Sequence, residues 1–341
     1  MSFPAGGAIL PPVGSGVLQL ARADSGVEGA SVPQLQVFEW YAWENFLITH
    51  IAPNAARVPV TPGIRLCSVK QRVAPAIVHV DLSRPRTVFP DYERWLLSYE
   101  KLGLPVLNGY CLSIDKWAVQ DACAAAGLPQ VRAARDGDPD EMLIIKTRAN
   151  HRGLYEQELS PDMAGDMMPP PWPYPERVHR LARRDMPEAM WDDPRIAVER
   201  YIDNAQGLFQ RAYVAGDYVA VATSASPKLI KEIDYRKAVD LISTTSASER
   251  PNDPRDPLSA AFRLAQAMRV DFAALDFALD DAGIPHPIDL NTTPAGWRDP
   301  TVNPRLIGEL IDAFDPLLAN GSRYSPPRTS GDVERIAIET S

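Results

Sequence analysis

The stretch VDFAALDFALDDAGIPHPIDLNTTPAGW, Val270–Trp297, decides the fold. Its first part, Val270–Leu279, sets small apolar and aromatic residues around two acids, Asp271 and Asp276, that read as buried. Asp280-Asp281-Ala282-Gly283 reads as a turn, with glycine supplying any positive φ. Pro287 then precedes Ile288-Asp289-Leu290-Asn291, a short strand with alternate polar residues. The segment is therefore two strands joined by a turn. Asp289 and Asn291 are two apart and leave the same face of their strand, and the turn returns Asp276 toward that face. Three hard oxygen donors converging in this way suit Mg²⁺ or Mn²⁺ rather than a soft metal. Mg²⁺ takes one or two protein carboxylates and completes its shell with water and phosphate oxygens, so the trio implies a nucleotide. The same residues would also serve a polar hairpin with a solvated acidic turn.

Outward from this hairpin the chain is long enough, at 341 residues, for two or three domains with ample core. A net charge of −9 argues against a nucleic-acid partner, which would require a basic footprint. Three widely spaced cysteines (Cys67, Cys111, Cys123) form no C-x-x-C pair, which reads as a reduced, cytoplasmic protein without a zinc site. With no base nearby in sequence, neither Cys111 nor Cys123 supports a thiol nucleophile. No apolar run approaches the roughly 18 residues of a membrane span, and no signal peptide is expected at the N-terminus.

Residues 1–30 are rich in Gly, Ala, Ser and Pro and read as a flexible leader, as does the tail 320–341. From Leu35 the chain becomes compact. Ile64–Val69 and Ala76–Val80 read as strands, Tyr92–Leu102 as a helix stopped by Gly103, and Pro105–Asn108 as a short buried strand. This alternation suggests a small open α/β domain over 31–112. Ser113 is the expected cap of a helix from Ile114 to Ala126, and Met142–Thr147 is an apolar strand ending in a lysine. Arg148–Leu154 is a basic loop, and Arg177–Arg184 reads as a short basic helix. Arg195–Ile202 is a strand, and Phe209–Ala215 with Tyr218–Thr223 form a hairpin around Gly216-Asp217. Ser243–Pro257 reads as a polar loop, Leu258–Met268 as an amphipathic helix and Pro304–Leu318 as a closing helix.

The order of SIDKWAVQ with a following AAGLP, IIKTRANHRG, AVERYID, QRAYVAGDYVA and the DFALDDAGIPHPIDLNTTPAG stretch resembles the ATP-grasp superfamily over about residues 90 to 310. The resemblance implies an α/β fold with α+β lobes. A small N-terminal open α/β (pre-ATP-grasp) domain precedes ATP-grasp lobes over 113–319, divided into about 128–200 and 201–319, which close over Mg-ATP. Lys116 and Lys146 look like the two phosphate-reaching lysines. The loop after Lys146 looks like the phosphate cover but keeps only Gly153, so side-chain cations stand in for amides. Glu199 looks like the ribose-holding carboxylate, and Arg200, Tyr201 and Ile202 like the adenine hinge. Arg211 looks like the arginine that meets the transferring phosphoryl group, with Lys228 (and Lys231) weaker candidates for the same task. Asp276, Asp289 and Asn291 are the implied metal ligands, although the family more often has Glu-x-Asn where this chain has Asp289-x-Asn291. His151 is the one histidine worth following.

The activity implied is an ATP- and Mg²⁺-dependent ligase joining a carboxylate to an amine through an acylphosphate, with release of ADP and phosphate. Many relatives are dimers, so a homodimer is consistent with the resemblance. Asp-x-Asn also occurs in inositol-phosphate kinases of the superfamily. A kinase acting on a hydroxyl therefore stays open, with Arg177, Arg180, Arg183 and Arg184 as its basic patch. So does a nucleotide-binding protein without turnover.

Overall fold

The computed structural model describes residues 35–41, 46–69, 74–168, 179–226, 238–244, 252–294, 304–320, 322 and 324. The expected leader, and Lys228 and Lys231, lie outside these residues, as does the tail from 321 apart from those two positions.

Four parallel strands come first: β1 (Gln36–Glu39), β2 (Ala56–Pro59), β3 (Ala76–His79) and β4 (Val106–Leu107), in the order β2-β1-β3-β4. β1 and β3 are buried along their whole length, as central strands of a parallel sheet must be. The short helix α1 (Ile48–Ile51) and α2 (Tyr92–Lys101) accompany them. α2 buries Tyr92, Trp95, Leu96 and Tyr99 against Phe38, Val58, Val78 and Val80. It stops before Gly103, at φ +67°, a region that favours glycine. The expected strand at Ile64–Val69 is instead a 3₁₀ turn, Leu66–Ser68, because the Asp91 carboxylate accepts from Leu66 N and Cys67 N and holds the chain in a bend.

α3 (Lys116–Ala125) follows, and its cap is Asp115 rather than Ser113. The Asp115 Oδ1 accepts from Trp117 N and Ala118 N at 3.0 and 3.1 Å, while Ser113 donates its hydroxyl to Asp115 Oδ2 at 2.8 Å. Next comes a three-stranded antiparallel sheet, ordered β6 (His179–Ala182), β5 (Met142–Thr147), β7 (Ile196–Arg200), with the short helices α4 (Pro161–Ala164) and α5 (Glu188–Trp191) between its strands in sequence. The described part of the expected basic helix at 177–184 is thus strand β6 and a following 3₁₀ turn. Pairing with β5 supplies backbone partners that an isolated two-turn helix would lack.

The last sheet is antiparallel with five strands, β10 (Ala238–Thr244), β9 (Tyr218–Ala225), β8 (Leu208–Ala215), β11 (Phe272–Leu279) and β12 (Pro285–Asn291). β10 extends into the segment expected to be a polar loop from Ser243. α6 (Pro257–Met268) and α3 cover one face of this sheet through Leu264, Ala261, Val119 and Cys123 against Val221, Leu275, Phe277 and Leu290. On the other face α7 (Pro304–Asn320) and the parallel sheet pack over Tyr213, Tyr218, Phe272 and Ala274. The remainder of that second face is left for a cavity. The mixed α/β class expected from sequence is what forms: an open parallel sheet followed by a three-stranded and a five-stranded antiparallel sheet.

Candidate active site

The β11–β12 hairpin forms as its sequence dictates. Gly283 takes φ +80° in the turn, and Asp280 Oδ1 accepts from Ala282 N and Ile284 N. One feature was not foreseen. The register slips between Asp276 and Phe277, so that Phe277 faces Pro287 and Asp276 faces Asp289, with Ile288 inserted as a bulge. Pro287 has no N–H to give the ladder, which is where a bulge is tolerated. The carbonyls near the bulge are taken up by side chains from elsewhere. Gln120 Nε2 donates to Pro287 O (3.1 Å), Lys146 Nζ to Ile288 O (2.9 Å) and Asn150 Nδ2 to Leu290 O (3.0 Å).

The slip sets one row of charge across the sheet. Arg211 on β8 stands beside Asp276 on β11, which stands beside Asp289 on β12. Arg211 grips Asp276 with two bonds, Nε–Oδ1 at 2.6 Å and Nη2–Oδ2 at 2.9 Å. Burial disfavours the guanidinium charge, but the Asp276 carboxylate outweighs it and raises the Arg211 pKa. Lys116, buried at the start of α3, reaches Asp289 Oδ1 and Asn150 Oδ1. Asn291 Oδ1 accepts from the backbone and hydroxyl of Thr293 at 2.8 and 2.9 Å.

From the three-stranded sheet come Lys146 and Glu199. β5 alternates, with Leu143 and Ile145 in a small core and Ile144 and Lys146 on the cavity side. Lys146 Nζ lies 2.7 Å from Glu199 Oε2, and Glu199 Oε1 is buried with no hydrogen-bond partner among the described residues.

These side chains line one cavity of about 390 Å³. Its wall includes every sequence-designated site residue that falls within the described residues: Lys116, Lys146, Glu199, Arg200, Tyr201, Ile202, Arg211, Asp276, Asp289 and Asn291. Apolar Ile144, Phe209, Ala278 and Ile288 complete it. The hinge needs a correction, since Arg200 N donates to Val131 O and Tyr201 N to Met142 O. These two amides serve the lobe itself and are not offered to a ligand. The loop cations also need one. Arg148 turns away to Asp115 (3.0 Å) and Asp166 (3.1 Å), holding the Asp115 carboxyl below its usual range against the opposing effect of burial. Asn150 was missed; only its place beside Lys146 in sequence hinted at it. Burial pushes the Cys111 and Cys123 thiols up to about 12, which removes them as nucleophiles.

Among the described residues no three His, Cys, Asp or Glu side chains gather into a metal cage. Two carboxylates and an amide oxygen on one sheet face are instead the partial donor set that Mg²⁺ takes when phosphate oxygens fill the remainder. The uncompensated Glu199 oxygen, on β7 and lining the same cavity, is an acceptor suited to hydroxyl groups. The residues present thus fit a metal–nucleotide.

No protein-family model matches the sequence, and no curated protein does. Solved structures similar to the chain are ATP-grasp ligases. D-alanine–D-alanine ligase from Bacillus anthracis, complexed with ATP, is 13% identical, with 85% of this chain and 98% of that one covered at a TM-score of 0.46. The ATP-grasp ligase PsnB, complexed with a minimal precursor, is 16% identical over 84% and 99% at 0.47. A RimK domain ATP-grasp protein from Sphaerobacter thermophilus is 14% identical over 83% and 99% at 0.45.

Proposed function

We propose that the chain is an ATP-grasp enzyme that uses ATP and Mg²⁺ to join a carboxylate to an amine through an acylphosphate. The observation that carries this reading is the row Arg211–Asp276–Asp289–Lys116 lining a cavity that Lys146 and Glu199 also line. It sets two carboxylates for a metal side by side, flanked at each end by a cation for phosphate oxygens. Asp276, Asp289 and Asn291 would hold the metal, whose chemistry is to neutralise and orient the phosphates. Lys116, Lys146 and Arg211 offer positive charge to the phosphoryl oxygens, where charge spreads during transfer. Glu199 accepts from ribose hydroxyls, and Ile144, Ile288 and Phe209 give the adenine an apolar slot. No residue needs to become covalently attached, so the protein's work is positioning and electrostatics.

The kinase alternative calls for a dense basic patch, and the described arginines do not form one. Arg183 is spent on Ala134 O, Arg135 O and Glu141, Arg184 on Asp140, and Arg180 lies over the Tyr201 ring. The test is ADP release across carboxylate and amine panels. The ligase reading expects ADP only when both are present. ADP with a hydroxyl acceptor and no carboxylate would replace it with the kinase reading, and tight Mg-ATP binding without turnover would replace it with a non-enzymatic one.

A further inference from the structure

The cavity wall also includes His151 and Leu154 from the loop after β5. His151 sits at φ +47°, a sparsely populated region for a residue with a side chain. Beneath it is Asp81, just beyond the carboxyl end of β3, the edge of a parallel sheet where ligands gather. Asp81 is 5% exposed. Its Oδ1 has no hydrogen-bond partner among the described residues and lies 3.5 Å from His151 Nε2. Tyr155 and Thr293 hydrogen-bond the same carboxyl, and the Tyr155 ring meets the imidazole edge-on at 5.7 Å. Thr293 also bonds Asn291, which ties this group to the row of metal ligands. A buried carboxyl behind an imidazole that faces a cavity is the arrangement that fixes a histidine tautomer.

We propose that Asp81 and His151 form a proton-accepting dyad for the acceptor, and that the acceptor is therefore a primary amine that arrives as an ammonium. This rests on the ligase reading. With Nε2–H held toward Asp81, Nδ1 carries the lone pair. It takes one proton from the ammonium. The freed nitrogen bonds to the acyl carbon, and the carbon–oxygen bond to phosphate breaks with its electron pair leaving on phosphate. A second amine proton departs with the phosphate and the third stays on the amide. His151 is the catalytic residue and Asp81 the positioning residue. The other groups around the pair are Tyr155, Thr293 and Tyr41, with the charges of Asp289 and Glu156 acting on Asp81.

The test has two readouts on the full chain. Imidazole-nitrogen NMR of the wild type should show His151 as the Nε2–H tautomer, and Asp81→Asn should abolish that tautomer preference. An Nδ1–H tautomer would overturn the dyad whatever the enzyme does. The second readout uses ATP, Mg²⁺ and the common amino acids as carboxylates, with either an amino acid or hydroxylamine as acceptor. Hydroxylamine is already unprotonated at neutral pH and needs no base. In His151→Gln the ratio of amide to hydroxamate should fall about 100-fold or more. An unchanged ratio would overturn the base role. If the wild type forms neither product, the ligase reading falls and the base role with it, while the tautomer still decides the dyad.

Discussion

Arg211 and Asp276, candidates for phosphate and for metal respectively, are bound to each other by two hydrogen bonds across β8 and β11. Sequence spacing could not show this, because the pairing depends on β8 and β11 lying in one register. Breaking a buried pair from one side leaves a charge uncompensated, so Arg211→Met should lower stability by about 3–5 kcal/mol in urea unfolding. The same reasoning selects the variant that best tests Asp289. Alanine would strip buried Lys116 of its carboxylate partner, whereas Asp289→Asn keeps a side-chain oxygen in place.

His79 supplies a residue-scale prediction in pH. It is fully buried, and burial lowers its pKa from 6.5 to about 3. Between those values the unfolded chain binds a proton that the folded chain refuses. Stability should therefore fall as pH drops through this window, with a steepest slope on the order of 1.4 kcal/mol per pH unit. His79→Phe should flatten that part of the profile in denaturant titrations from pH 7 to pH 4; an unchanged slope would show that His79 gains its proton freely.

At the scale of the element, the hairpin was legible because its signals are local: alternate polar residues on its second strand, a Gly turn and two prolines. Its bulge was not, since Ile288 is an ordinary strand residue and only its opposition to β11 makes it extra. The turn at Gly283 is strained for any other residue but open in space. Gly283→Ala should thus lower stability by about 1–2 kcal/mol through backbone strain alone. Phe277, fully buried between β11 and the α3–α6 layer, should lose about 3–5 kcal/mol on truncation to alanine. Helices with strong stops, such as α2 before Gly103, were also read correctly. The errors came where a side chain overrides local preference. Asp91 bends the 66–68 segment, and Asp115 takes the cap from Ser113 because it also pairs with Arg84 and Arg148.

At the scale of the whole molecule, the cavity exists because the five-stranded sheet is only half covered on one face, by α7 and the parallel sheet. The three-stranded sheet and its following loop close over the remainder. Residues more than a hundred positions apart, such as Lys116 and Asp289, meet there. Their convergence was expected from the order of motifs, whereas Asn150, Asp81 and the self-consumed hinge amides come into view only once the sheets face each other.

The most direct test of the account is the melting temperature with and without Mg-ATP, for the wild type and Asp289→Asn. A ligand at about 100 times its Kd adds roughly 2.7 kcal/mol, a rise of about 4 °C for a chain of this size. The account predicts that rise in the wild type and its loss, wholly or in large part, in Asp289→Asn. No rise in the wild type, or an equal rise in both, would contradict the placement of a metal–nucleotide on the Arg211–Asp276–Asp289 row.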